Sequence, residues 1–284
     1  NEELQYYTDD PANAQTDGNG NLVITLDEAD GSQECYYGPC EFESARLITQ
    51  NKAEFAYGRI ESRLKVPSGG DGLWPAFWSL GTDITYNPWP GAGEIDIMEY
   101  VSRIPNEIFG TIHGPGYFGE AGLVNKRFFA DGDDATNWHV YSVDWRPDAI
   151  VFRIDGIVVY RVTRSMTEFF GEWVFDDEKH FIVNVALGGT YPFKTNGIRS
   201  PYYGLAGETV VTARHVLTQD LLLEHGGLGE IVPALGHMHH AGAAIALAAA
   251  VDDAGADLLG DLDDPGAGRY VDGLVDIFER NFRF

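Results

Sequence analysis

Apolar and polar residues alternate along this chain up to about residue 210, with turn residues between the runs. Leu22-Val-Ile-Thr-Leu26, Ser44-Ala-Arg-Leu-Ile-Thr49 and the long run from Phe55 to Val66 follow the two-residue period of strands whose sides face different surroundings. Asp17-Gly-Asn-Gly20 and Pro67-Ser-Gly-Gly-Asp-Gly72 are read as turns. Trp138 to Trp145 and Ala149 to Gly156 predict a hairpin through Arg146-Pro-Asp148, which continues as a meander into Ile157 to Val162. His180 to Gly189 predicts a buried strand, and Ser165 to Trp173 a short helix or loop. The pattern implies an all-β protein.

One run breaks the expected pairing of faces. Gly93-Glu-Ile-Asp-Ile-Met-Glu-Tyr100 sets three carboxylates among apolar neighbours, where an ionised carboxylate is strongly disfavoured unless it has a use. On a regular strand Glu94 and Asp96 share a face, and Glu99 points the other way. A β-bulge near Ile97-Met98 would return Glu99 to their face, and bulges are common beside active sites. The Cα atoms of Glu94 and Glu99 would then lie roughly 13 Å apart, a gap that two converging side chains can close. Retaining glycosidases hold their two carboxyls about 5–5.5 Å apart, and inverting ones roughly 6.5–9.5 Å. Asp96, between the two glutamates, would keep them in different protonation states, because adjacent like charges push pKa values apart. The plain alternative is a surface strand with three solvated acids.

Composition narrows the partners. The 284 residues carry 44 acidic against 19 basic side chains, a net charge of −25. A field of that sign repels nucleic-acid phosphates and sulfated polymers and admits a neutral polysaccharide. No run of about 18 apolar residues is present, so no membrane span is expected. Cys35 and Cys40 bracket Tyr-Tyr-Gly-Pro, a turn that would bring the sulfurs together as a disulfide and so fits an oxidising compartment. Reduced thiols in a loop are the alternative. No charged-then-apolar leader stands at residue 1.

Three segments carry a family resemblance: Gly72-Leu-Trp-Pro-Ala-Phe-Trp-Ser-Leu80, Trp89-Pro-Gly-Ala-Gly-Glu-Ile-Asp-Ile-Met-Glu-Tyr100 and Gly110-Thr-Ile-His-Gly-Pro-Gly-Tyr117. They resemble glycoside hydrolase family 16 and within it the bacterial laminarinases, endo-β-1,3-glucanases. The Glu-x-Asp-x-x-Glu form is similar to the laminarinase, agarase and carrageenase side of the family, whereas lichenases use the shorter Glu-x-Asp-x-Glu. The resemblance runs from residue 1 to about residue 208. It implies a β-jelly-roll sandwich of two antiparallel sheets with a concave cleft, and a β-1,3-glucan substrate cut internally with retention. With the cysteine pair, the protein is expected to be secreted, and it is expected to be a monomer.

Motif position makes Glu94 the nucleophile, Asp96 the assisting acid and Glu99 the general acid/base, with no cofactor needed for the chemistry. His113, on the next strand, resembles the family histidine near this group; Arg46 resembles a position near the sugar site, and Asn184 a polar residue facing the cleft. Each also reads as an ordinary structural residue. Trp74 and Trp78, four apart in one strand, share a face, and at least one should line the cleft as a sugar platform, unless both are core. Trp89, in a Pro-flanked loop before the acidic strand, is a second candidate. A non-hydrolytic β-glucan-binding module is the rival from another class, and a same-fold hydrolase of mixed-linkage glucan or agar the rival within this one.

Both ends depart from the family pattern. A first strand is missing before Asn1, which could leave a sheet edge exposed. The closing Asp-Tyr-Val-Arg-Val-Tyr type strand is not recognisable either. The chain therefore divides into a catalytic domain, 1–210, and a C-terminal segment, 211–284, expected to be helical or partly disordered. That segment holds an Ala-rich helical stretch from Pro233 to Val251 and helical apolar spacing from Tyr270 to Phe282. His237, His239 and His240 are not read as a metal site, since only residues three or four apart share a helix face. Asp131-Gly-Asp-Asp134 is read as a solvated loop rather than a calcium site, and any structural calcium held by the family's terminal segments is in doubt here.

Overall fold

A computed structural model of the chain describes residues 1–19, 21–67, 72–102, 106–130, 132–192 and the backbone of 215–224. Among them strands dominate, in two large sheets. The seven-stranded sheet runs β13 (Leu123–Phe128), β12 (Glu107–His113), β11 (Glu94–Glu99), β10 (Leu73–Gly81), β17 (Lys179–Leu187) and β7 (Arg46–Ile48), with β8 (Glu54–Phe55) also on β17. The nine-stranded sheet runs β1 (Gln5–Tyr7), β6 (Phe42–Ser44), β3 (Leu22–Glu28), β18 (His215–Glu224), β9 (Gly58–Lys65), β14 (His139–Arg146), β15 (Ala149–Ile154) and β16 (Ile157–Thr163), with β2 (Ala14–Thr16) also on β3. This is the β-jelly-roll sandwich that the alternation and the resemblance imply. One pair departs from the antiparallel rule, since β1 runs parallel to β6.

The core lies between the sheets. Phe77, Ile95, Met98, Ile112 and Val183 from one sheet meet Ile60, Leu64, Tyr141, Val143, Ile150 and Phe152 from the other, all buried in one cluster. Close approach is needed at Gly110 of β12, where a Cβ would stand 2.9 Å from the Phe152 ring. Inward residues alternate with outward ones along β10 and β12, so the hydrophobic effect fixes which face of this sheet looks outward.

Residues 215–224 correct the sequence reading. They form a strand between β3 and β9, paired antiparallel to both, where a helical or disordered segment and no closing strand were expected. The helical expectation came from the Ala-rich stretch at 233–251 and the apolar spacing at 270–282, neither of which includes these residues. Placed between two strands that would otherwise leave rows of backbone N–H and C=O groups unpaired, 215–224 takes the sheet conformation instead. The rest of the proposed C-terminal segment, including the three histidines and both helical stretches, lies outside the described residues, as does Asp131.

At the other end, β1 docks beside β6, Leu4 N–H donates to the Leu187 carbonyl at 2.8 Å, and Glu3 bridges Gly188. Cys35 and Cys40 form the expected disulfide across the hairpin of β4 (Glu34–Cys35) and β5 (Gly38–Pro39). Among the described residues, no helix is long and apolar enough to cross a membrane.

Candidate active site

The site is built by one extra residue in β11. Asp96 pairs with Thr111 of β12 and Glu99 with Phe109, so three steps on β11 face two on its neighbour. The β10 side shows the same slip, with Phe77 opposite Met98 and Trp78 opposite Asp96. The bulge therefore sits at Ile97-Met98, as the spacing predicts. Both of these side chains enter the core, and Glu94, Asp96 and Glu99 emerge together on the outer face. Cross-strand pairing puts the other candidates on the same face. His113 lies opposite Glu94, Trp78 opposite Asp96, Asn184 opposite Ala76, and Arg46 opposite Asn184.

The turn before β11 is pinned from inside. Gly93 has φ +71°, and a Cβ there would meet the Val174 carbonyl at 2.6 Å. The Lys179 ammonium, fully buried, donates to the Ala92 carbonyl at 2.8 Å and to the Val174 carbonyl at 3.2 Å. Burial pulls its pKa down to about 8.

Each carboxyl has its own surroundings. Glu94 accepts the Trp89 indole N–H at 2.7 Å. Glu99, 6 % exposed, accepts the Trp74 indole N–H at 3.0 Å and the Tyr191 hydroxyl at 3.0 Å, with the Thr111 hydroxyl at 3.5 Å. Asp96 is 3 % exposed, and its Oδ2 accepts no hydrogen bond. His113 Nε2 stands 3.3 Å from that oxygen without the alignment of a hydrogen bond.

Burial pushes all three carboxyl groups up. Glu99 rises to about 7, chiefly through desolvation; His113 opposes the rise, and so do the hydrogen bonds from Trp74 and Tyr191. Glu94 and Asp96 rise well above the usual carboxylate range, through burial first and then through a neighbouring carboxylate, and they share a hydrogen bond. Three charges do not coexist here at neutral pH. The hydrogen bond between them raises Glu94 and lowers Asp96, while the Trp89 indole N–H favours the anion on Glu94.

The aromatic residues divide. Trp89 is 42 % exposed, 5.4 Å from the Phe118 ring and 6.0 Å from that of His113, beside Glu94. Trp78 is half-buried, carries the Arg46 guanidinium over its ring at 4.7 Å, and donates to Asn184 Oδ1 at 2.8 Å. Trp74 is stacked by Tyr191 at 4.7 Å. Of the three, Trp89 offers the largest exposed surface, and the other two are tied into polar contacts.

Sequence reasoning missed four contributors. Thr111 was within reach, being two residues before His113 and so on its face. Lys179 stands just before the strand predicted from His180, with nothing in the sequence to single it out, and Tyr191 lies past the last recognised motif. Gly122 follows the 3-10 turn Gly119–Ala121 with φ −54°, so its backbone does not demand glycine. Space does, because a Cβ there would lie 2.4 Å from His113 Cε1 and 3.1 Å from Thr111 Cγ2. Glu94, Asp96 and His113 also place three donor atoms within 4.8 Å of one another, a set a divalent cation could use, which the sequence reading did not foresee.

A jelly-roll sandwich with paired carboxylates, one held near neutral pKa, on an outer face lined by indoles and amides belongs to the class of carbohydrate-active β-proteins. Comparison with known proteins agrees. Residues 2–189 match the family model of glycosyl hydrolases family 16, and the chain belongs to that family. It is 38% identical over 197 residues to a beta-glucanase of Rhodothermus marinus, covering 67% of this chain and 66% of that protein. It is 34% identical over 219 residues to glucan endo-1,3-beta-glucosidase A1 of Niallia circulans, covering 71% of this chain but 30% of that protein. Among solved structures, the laminarinase catalytic domain of Thermotoga maritima superposes with a TM-score of 0.67 at 36% identity, over 77% of this chain and 81% of that one. The chain thus spans under two thirds of the length of these two sequence relatives.

Proposed function

We propose that this chain is a retaining endo-β-1,3-glucanase of the laminarinase type. The observation that supports it most is the bulge, which brings Glu94 and Glu99 to one face while burial holds Glu99 near pKa 7. Glu99, protonated, gives its proton to the departing glycosidic oxygen as anionic Glu94 attacks the anomeric carbon and the C–O bond breaks. Asp96 shares its proton with Glu94 and withdraws charge from it as the covalent glycosyl-enzyme forms. Glu99, now a carboxylate, takes a proton from water as that water attacks the anomeric carbon and releases Glu94. Every proton and bond in this scheme is handled by these three carboxyl groups and water.

The glucan lies along the outer face, with a pyranose ring on the exposed indole of Trp89. Arg46, Trp78 and Asn184 form a connected polar edge that reads sugar hydroxyls, and His113 holds the Asp96 side of the site. A neutral polymer meets no repulsion from a chain of net charge −25. The polymeric substrate and the Cys35–Cys40 disulfide support action outside the cytoplasm.

Release of reducing sugar from laminarin, lichenan and agar, measured side by side, tests this reading. Fastest release from laminarin is expected, with the β-anomer as first product by proton NMR. Binding of laminarin oligosaccharides without any release would instead make the chain a glucan-binding module. Fastest release from lichenan or agar would reassign the substrate.

A further inference from the structure

We propose that Glu94, Asp96 and His113 form a binding site for a divalent transition metal of the zinc type, and that occupancy of this site shuts the active site. The three residues come from neighbouring strands, and their donor atoms lie within 4.8 Å of one another. Two further observations point to a ligand between them.

Asp96 is 3 % exposed, and its Oδ2 accepts no hydrogen bond although it faces the His113 ring. A buried oxygen left without a donor forgoes a stabilising interaction, and a cation would supply one. The separation also fits. With metal–ligand bonds near 2.0–2.1 Å, two ligands of a tetrahedral zinc stand about 3.3 Å apart. His113 Nε2 and Asp96 Oδ2 stand 3.3 Å apart.

The histidine is held in place by packing. Gly122 lies so close that a Cβ would approach the His113 ring to 2.4 Å, and Trp89 stands 6.0 Å away across it. Glu94 reaches the same point from the next pleat and keeps an oxygen on the Trp89 N–H. One imidazole nitrogen and two carboxylates suit zinc. Calcium wants six to eight oxygens, more than these side chains carry.

Zinc bound here would engage both Glu94 and Asp96, so neither attack on the sugar nor the shared proton would survive. That inhibitory consequence rests on the hydrolase reading, whereas the binding site does not. Zinc chloride titrated into the whole protein by isothermal calorimetry at neutral pH separates the two. We expect one zinc per chain, calcium at the same concentration giving no comparable heat, and at least tenfold weaker zinc binding in His113→Gln. Asp96→Asn is the second variant and should weaken binding similarly. Zinc should also reduce laminarin hydrolysis in proportion to occupancy.

Several equivalents of zinc taken up equally by wild type and His113→Gln, with calcium as effective, would mean binding to the acidic surface at large and would overturn the site. No heat at all would overturn it too. Zinc binding that depends on His113 in a protein that never hydrolyses laminarin would leave the site standing and remove the hydrolase reading.

Discussion

The two faces of the β10–β11–β12 sheet obey different rules, although the same strands make both. The inner face is hydrocarbon: Phe77, Ile95, Met98, Ile112 and Val183 are buried against the second sheet, and each gains from leaving water. The outer face buries Asp96 and Glu99 almost as deeply and gains nothing comparable, because desolvation there pushes the carboxyl groups toward their neutral forms. The bulge at Ile97-Met98 connects the two. It spends two consecutive side chains on the core so that the next glutamate faces outward. One face is arranged for stability, and the other holds charge in a place that stability alone would not choose.

Substitutions should separate the faces. The largest effect belongs to Glu94→Gln and Glu99→Gln, each expected to lower laminarin turnover by about 10²–10⁴-fold or more while leaving oligosaccharide binding in place. Near-native turnover in either would undo the assignment of roles. The Glu99→Gln protein should also be the more stable one at high pH. Glu99 has a raised folded-state pKa, about 7 against 4.5 for an ordinary glutamate, so its own contribution to wild-type stability is fully present below 4.5 and is lost as pH rises through 7. The glutamine variant lacks this loss. Its advantage should open between these pH values and level off above them at roughly 3 kcal/mol, read from denaturant unfolding. A variant no more stable than wild type at pH 8 would mean that Glu99 is not strained by burial.

On the inner face, Met98→Ala should cost about 2–5 kcal/mol of unfolding free energy through the cavity it leaves, with the pH dependence of activity unchanged. A shifted pH profile would show the two faces to be less separate than described. The smallest effect is expected at Gly122→Ala, which crowds the His113 ring. A loss of about tenfold in kcat/KM corresponds to roughly 1.4 kcal/mol of barrier. The same change in a His113→Ala background should cost nothing further, and an equal loss in both backgrounds would assign Gly122 a purely structural part.

Much of this was legible in the sequence, for physical reasons. A strand has a strict two-residue period, so the distance from Asp96 to Glu99 announces a bulge before any coordinates exist, and Trp74 and Trp78 declare a shared face. Contacts made across long sequence separations were not legible. Tyr191 reaches Glu99 from beyond the last motif, and Arg46 covers the Trp78 ring from a strand far earlier in the chain. Lys179 has the charge of a surface residue, and only three-dimensional packing shows its ammonium held by two carbonyls. The strand at 215–224 escaped because its conformation is decided by pairing with β3 and β9, which no local pattern shows.

The central claim is that burial on the outer face keeps Glu99 protonated up to neutral pH so that it can act as the acid. The pH profile of kcat/KM for laminarin hydrolysis tests this most directly. An alkaline limb with a midpoint near 7, lost in Glu99→Gln, is the predicted result. A fall in activity already centred near 4.5, the ordinary glutamate value, or a profile flat to pH 9, would contradict it.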